Sequence, residues 1–156
     1  MQVDYRYNGR ASKSPDNSFV PRDIQVPPAK LKPGTNIPYP TVVIDVGHKH
    51  EGWKKLKRNA RTKAFTRMTS IQILVGIKIF TSHFRAFWAR RSATGTGMNI
   101  QETTPKLDAR VPTNLTFTLP KNLVFWGVPQ PNWPVTPTPN LTLHMETLRL
   151  AIADLM

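Results

Sequence analysis

Cysteine is absent from all 156 residues, which excludes a disulfide framework and any zinc-thiolate centre. Long apolar runs are missing as well, since no stretch approaches the roughly 18 residues a membrane span requires. The opening "MQVDYRYNGR" lacks the apolar core of a signal peptide. The chain therefore reads as soluble, non-secreted and intracellular, with cytoplasm or nucleus left open and no membrane partner. The N-x-T triplets at Asn114 and Asn140 then read as chance matches. Acid is the other scarcity: 9 Asp+Glu stand against 22 Lys+Arg.

That imbalance is one-sided. Residues 1–91 hold 18 Lys+Arg and 5 Asp+Glu, while residues 92–156 hold 4 of each, so the whole net charge of +13 lies in the first part. A concentrated basic field attracts phosphate polyanions and gains affinity by counterion release. Nucleic acid is the partner class this favours, ahead of a merely solvated basic surface. The length suits one domain, and 15 prolines promise long irregular connections.

Val3, Tyr5 and Tyr7 alternate with Asp4 and Arg6, and Asn8-Gly9 is a turn signal, so residues 2–20 read as a hairpin-like pair. Six prolines between Pro21 and Pro40 predict a long loop. "TVVIDVG" reads as a strand covered on both faces. Trp53, Leu56, Ala60, Ala64 and Met68 then recur at helical spacing. "IQILVGIKIF" returns to period 2, with Ile71, Ile73, Val75, Ile77 and Ile79 on one face and Gln72, Leu74, Gly76, Lys78 and Phe80 on the other. Strand, helix and strand over 41–80 predict a βαβ unit with parallel strands. "HFRAFWARR" follows as a hairpin partner across Thr81-Ser82.

Beyond Arg91, "SATGTGM" reads as flexible, "NLTFTLP" and "NLVFW" as short strands, and "GVPQPNWPVTPTPN" as loop. The chain ends in a strand and a helix from about Met145, with Met145, Leu148, Ile152 and Leu155 as its apolar stripe. That stripe serves a core or a homodimer contact. Trp53, Phe84, Trp88, Phe125 and Trp126 read as core, and Trp133, set between prolines, as a surface recognition aromatic. The predicted class is mixed α/β, a central mixed sheet with flanking helices in one domain, 1–156. Its core is about 2–90, with a proline-rich remainder at 92–156.

Two acids stand out: Asp16 in "SPD", and Asp45 closing "YPTVVID" 29 positions later. Magnesium takes oxygen ligands and usually one or two carboxylates, so two acids from adjacent strands could bracket one ion. Pro-Asp is also a common turn dipeptide, and a salt bridge from Asp45 to Lys49 or Arg58 would satisfy it without metal. Residues 49–67 carry eight cations against Glu51 alone, among them the like-charge i,i+4 pairs Lys54–Arg58, Lys57–Arg61 and Lys63–Arg67. A face that accepts such repulsion fits a waiting anion. Lys54, Lys55, Arg58, Lys63 and Arg67 are the candidate phosphate contacts, although "KKLKR" also has the composition of a nuclear-import patch. His48 and His50 read as loop histidines.

With Pro15-Asp16 opening one strand, Asp45 ending a hydrophobic strand, and a helix and another strand following, the chain resembles the PD-(D/E)XK nuclease superfamily. The likeness is to its restriction-endonuclease-like group and covers roughly residues 2–90. Arg61, Phe65 and Gln72 occupy comparable places after the second acid. The resemblance implies a restriction-endonuclease-like fold and a Mg²⁺-dependent (or Mn²⁺-dependent) endonuclease, with Asp16 and Asp45 as metal ligands. DNA is placed ahead of RNA as its substrate. It also implies a cation two residues after the second acid, where this chain has Gly47, so "DVG" replaces the usual E-x-K. Arg61, Lys57 and Lys49 are the candidates to supply that cation from elsewhere. The family often carries a further acid on an N-terminal helix, and the resemblance therefore implies a shortened relative. A catalytically degenerate nucleic-acid-binding module is the alternative function. A scaffold working through the proline-rich segment Pro120–Pro139 is a third reading.

Overall fold

A computed structural model describes residues 17–47, 50–59, 62, 65, 69–92, 98–103, 115–135 and 138–153. The strands are β1 (Asn17–Phe19), β2 (Val42–Gly47), β3 (Ile73–Ile79), β4 (Phe84–Arg91), β5 (Met98–Thr103), β6 (Thr116–Pro120) and β7 (Asn140–His144). The helices are α1 (Trp53–Asn59), α2 (Lys121–Val124) and α3 (Met145–Ala153). Residues 2–16 of the expected first hairpin lie outside the described residues.

The fold is mixed α/β. β1 to β5 form one sheet in sequence order, and β6 and β7 form a separate antiparallel pair. Within the sheet only β2 and β3 are parallel, with Val42 opposite Ile73 and Gly47 opposite Lys78, so the strand–helix–strand unit is present as expected. Two parallel strands need a crossover long enough to return the chain, and the segment holding α1 provides it. β4 folds back on β3 across Thr81-Ser82, again as expected.

Alternation decides what each face carries. Val43, Leu74, Phe87 and Ala89 point to one side and pack with Leu56 of α1, Phe65, Ile71 and Tyr39, with Trp53 leaning on the group. Val42, Ile73, Val75, Ile77, Phe84, Ala86 and Trp88 point to the other and pack with Phe117, Val124 and Met145. β3 is therefore buried on both faces for six consecutive residues, the pattern of a covered parallel strand. Each fully buried Ile, Leu or Phe contributes about 1.5–3 kcal/mol through loss of apolar surface from water. Ile71 departs from the expected alternation. It precedes β3 and joins the α1-side cluster rather than that of Ile73.

One expectation is corrected. "NLVFW" is a helical turn, not a strand. Pro120 enters it with φ −60°, Phe125 N donates to Lys121 O at 2.9 Å, and Gly127 leaves at φ +80°. A short apolar run between Pro and Gly suits a helical turn as well as a strand. Here the buried Thr41 hydroxyl, donating to Val124 O at 2.6 Å, ties the turn to the sheet. β5 at 98–103 was not foreseen: its alternation spans only Met98 to Gln101, and the free edge of β4 offers it a ladder. Trp133 is half-buried, with its indole N–H donating to Val128 O at 2.8 Å and its ring tilted against Phe125.

The proline-rich segment after Pro21 is held at several points. Gln25 N donates to Gly127 O at 2.7 Å, Leu31 bridges Pro38, and Lys30 Nζ donates to Thr69 O at 3.1 Å. At the C-terminal end, Met145 is fully buried and Leu148 packs beside it, whereas the side chain of Ile152 and all of Leu155 lie outside the described residues. Among the described residues no helix is long and apolar enough to cross a membrane.

Candidate functional site

The α1-covered face of the sheet carries charge where an apolar surface would be expected. Register places Asp45 opposite Gly76, Gly76 opposite Phe87, and Phe87 opposite Glu102, one row across four strands. Asp45 shares its face with Val43 and is 8% exposed, and its Oδ1 is shielded from solvent. The Phe87 ring lies over Gly76, so a Cβ there would come within 2.2 Å of it. Glycine at this point lets the ring fill the middle of the row. Asp45 and Glu102 stand on strands three apart, about 14 Å at the usual strand spacing, so they are no ligand pair.

The next row is Gly47, Lys78 and Arg85. Two cations opposite each other on neighbouring strands repel, and their side chains diverge. Lys78, 7% exposed, turns towards β2, where its Nζ donates to Gly47 O at 3.4 Å. Arg85 turns the other way, 4.4 Å over the Trp53 ring and 3.6 Å from Glu102. The Lys78 stem fills the space a side chain at 47 would need, its Cδ being 2.9 Å from where a Cβ would stand. The position that lacks a lysine in "DVG" thus has one laid across it from the adjacent strand. Sequence reasoning passed over Lys78, assigning it only to a strand face. The available signal was a lone ionisable residue inside "ILVGIKI".

Asp45, Glu51 and Lys78 are the buried charged side chains among the described residues. Asp45 and Lys78 sit towards the C-terminal ends of parallel β2 and β3, diagonal to one another, and Glu51 enters α1 four residues after Gly47. Asn59 Nδ2 donates to Glu51 Oε1 at 2.7 Å. In α/β sheets, ligands gather beyond the C-terminal ends of parallel strands. A desolvated charge is costly unless the surrounding structure compensates it, so Asp45 and Lys78 on neighbouring strands mark this end of the sheet as a candidate site.

The other expected residues fall as follows. Lys57 Nζ pairs with Glu102 Oε1 at 2.6 Å and lies 5.7 Å over Trp53, directing it to the far edge of the sheet. Both partners are about one-third exposed, so the pair contributes at most about 1 kcal/mol. Lys54, Lys55 and Arg58 are exposed on α1 and pair with no acid among the described residues. Asp16, Lys49, Arg61, Lys63 and Arg67 lie outside the described residues, as do His48, Ala60, Ala64 and Met68. The last described pair of the β1–β2 ladder is Asn17 with Ile44, and Asp16 and Asp45 are the next residues in sequence beyond it. Gln72 is buried, its Nε2 donating to Ser70 O at 3.1 Å, and Phe65 is core with Arg91 above its ring at 5.7 Å.

Burial lowers the Arg91 pKa, while its guanidinium donates to Ile71 O and Thr69 O at 2.8 and 3.1 Å. Burial and the nearby Arg91 charge lower that of Lys30. These two cations clamp the segment entering β3. Compared with family models, curated proteins and solved structures, the chain matches none.

Proposed function

We propose that this chain is a Mg²⁺-dependent phosphodiesterase of restriction-endonuclease-like type acting on nucleic acid, DNA ahead of RNA. The observation carrying this reading is the grouping of buried Asp45 and Lys78 at the ends of the parallel strands, beneath a helix with three exposed cations that pair with no acid among the described residues. Lys54, Lys55 and Arg58 would hold the phosphate backbone without reading sequence. Asp45 fits a magnesium ligand by donor type, being a shielded carboxylate, and magnesium commonly uses only one or two such groups. Asp16 is proposed as the second. Bound there, the metal would supply Lewis-acid activation of the phosphate and of water. Asp45 would hold that ion, the surrounding core would limit bulk water, and the Lys78 ammonium would stabilise negative charge developing on the phosphoryl oxygens.

One observation favours a second reading, a nucleic-acid-binding module without turnover. Gly47 stands where the resemblance implies a catalytic cation. Cleavage of supercoiled plasmid separates the two. The first reading expects Mg²⁺-dependent nicking that disappears in Asp45→Asn and falls steeply in Lys78→Ala. Partial recovery in Gly47→Lys/Lys78→Ala would show that the cation matters by its place. Nicking unchanged by Asp45→Asn would refute the site, and binding without nicking under Mg²⁺ or Mn²⁺ would establish the second reading.

A further inference from the structure

The opposite face of the sheet holds a cleft of about 390 Å³ where the β6–β7 hairpin meets β4 and β5. Trp88, Arg90 and Gln101 line it from the sheet, and Thr118, Pro120 and Asn140 from the hairpin. Its volume falls within the range of small-molecule sites. Trp88 is 7% exposed and its indole N–H donates to Gln101 Oε1. That bond commits the amide's acceptor and leaves its Nε2 hydrogens as donors. Arg90 is exposed and forms no ion pair among the described residues, and the side chains of Thr118 and Asn140 make no hydrogen bond there. The acid nearest in sequence, Glu102, alternates to the other face and is held by Lys57 and Arg85.

The cleft therefore offers an indole and a proline as apolar wall, one guanidinium, several amide or hydroxyl donors, and no carboxylate in its lining. We infer that it binds a small ring-bearing organic anion, a carboxylate or phosphate monoester whose charge meets Arg90 while its ring lies along Trp88 and Pro120. A neutral ring would leave the guanidinium unused, and a bare anion would leave the apolar wall wet. This site is independent of the basic helix and of Asp45, which serve the other face.

Calorimetric titration of the full chain with adenosine monophosphate, benzoate, adenosine and inorganic phosphate tests it. Saturable binding is expected for at least one of the first two, with adenosine and phosphate about tenfold weaker or more, the scale of one hydrogen-bonded charge. Whichever of the two binds better identifies the phosphate ester or the carboxylate. Arg90→Gln should weaken binding about tenfold, and Thr118→Trp should fill the cleft and abolish it. Both positions are exposed, and circular dichroism checks that each variant folds. The triple neutralisation Lys54→Gln/Lys55→Gln/Arg58→Gln should leave it unchanged. No saturable binding by either ring-bearing anion would overturn the inference. So would equal affinity for adenosine, wild-type affinity in Arg90→Gln, or loss of binding in the triple variant.

Discussion

The two faces of the five-stranded sheet are built from alternate residues of the same strands, yet they differ in kind. On the hairpin side β2 and β3 present Val42, Ile44 and Val46 beside Ile73, Val75 and Ile77, covered by β6, β7, α2 and α3. On the α1 side the same strands present Val43, Asp45 and Gly47 beside Leu74, Gly76 and Lys78, covered by a seven-residue helix whose buried residue is Leu56. One face is a core, and the other is a core at one end that becomes polar towards the strand ends.

The severest way to break this comparison is at Phe87, whose ring fills the middle of the row between Asp45 and Glu102. Phe87→Ala should cost about 3–5 kcal/mol in urea unfolding. Gly76→Ala should cost about 1–3 kcal/mol by overpacking against the ring. The double variant should lose less than the two costs added, and strict additivity would show that the ring does not fill the space over Gly76. Next in size are the two buried charges Asp45 and Lys78, diagonal neighbours in the β2–β3 ladder. Lys78→Met alone should cost about 3 kcal/mol by leaving buried carboxylate poorly compensated, while Asp45→Leu/Lys78→Met should return to within about 1 kcal/mol of wild type. Absence of coupling in that cycle would separate Asp45 from Lys78 and dissolve the site. Neutralising Lys54, Lys55 and Arg58 should leave stability within about 0.5 kcal/mol. In DNA binding it should lower the slope of log affinity against log salt by about 2.7; an unchanged slope would leave α1 a solvated surface.

The smallest effect is on pH. Burial raises the Tyr39 pKa, since the phenolate would be charged in the core. A group whose folded pKa is raised contributes stability below its unfolded value, about 10 for tyrosine, and loses it as pH rises through the folded value. Alkaline unfolding of Tyr39→Phe should therefore fall less steeply above pH about 10, and an identical slope would refute the assignment.

Much of the fold was legible from local pattern. The β-branched run at 42–46, the period-2 run at 73–79 and the adjacent aromatic strand at 84–91 have the apolar repetition that strands need, and they pair as that pattern demands. The strand and helix meeting at Met145 were equally readable. β5 was not, because "MNIQET" alternates apolar and polar residues over only its first four positions and becomes a strand only where an edge awaits it. The turn at 121–124 misled because five residues are too few for period to distinguish strand from helix. For the site, Asp45 and the exposed cations of α1 were visible as residue types, but Lys78 was not. Its importance depends on which residue lies across the ladder, information absent from any local window.

By itself the sequence determined the strand–helix–strand frame, the one-sided basic charge and the exclusion of thiol chemistry, since composition and short-range periodicity are local properties of the chain. Tertiary structure alone decided that a lysine from β3 lies over Gly47, that Lys57 is committed to Glu102, and that a cleft opens between hairpin and sheet. Those facts arise from register and packing between segments far apart in sequence, where a shift of one residue would send every side chain to the other face.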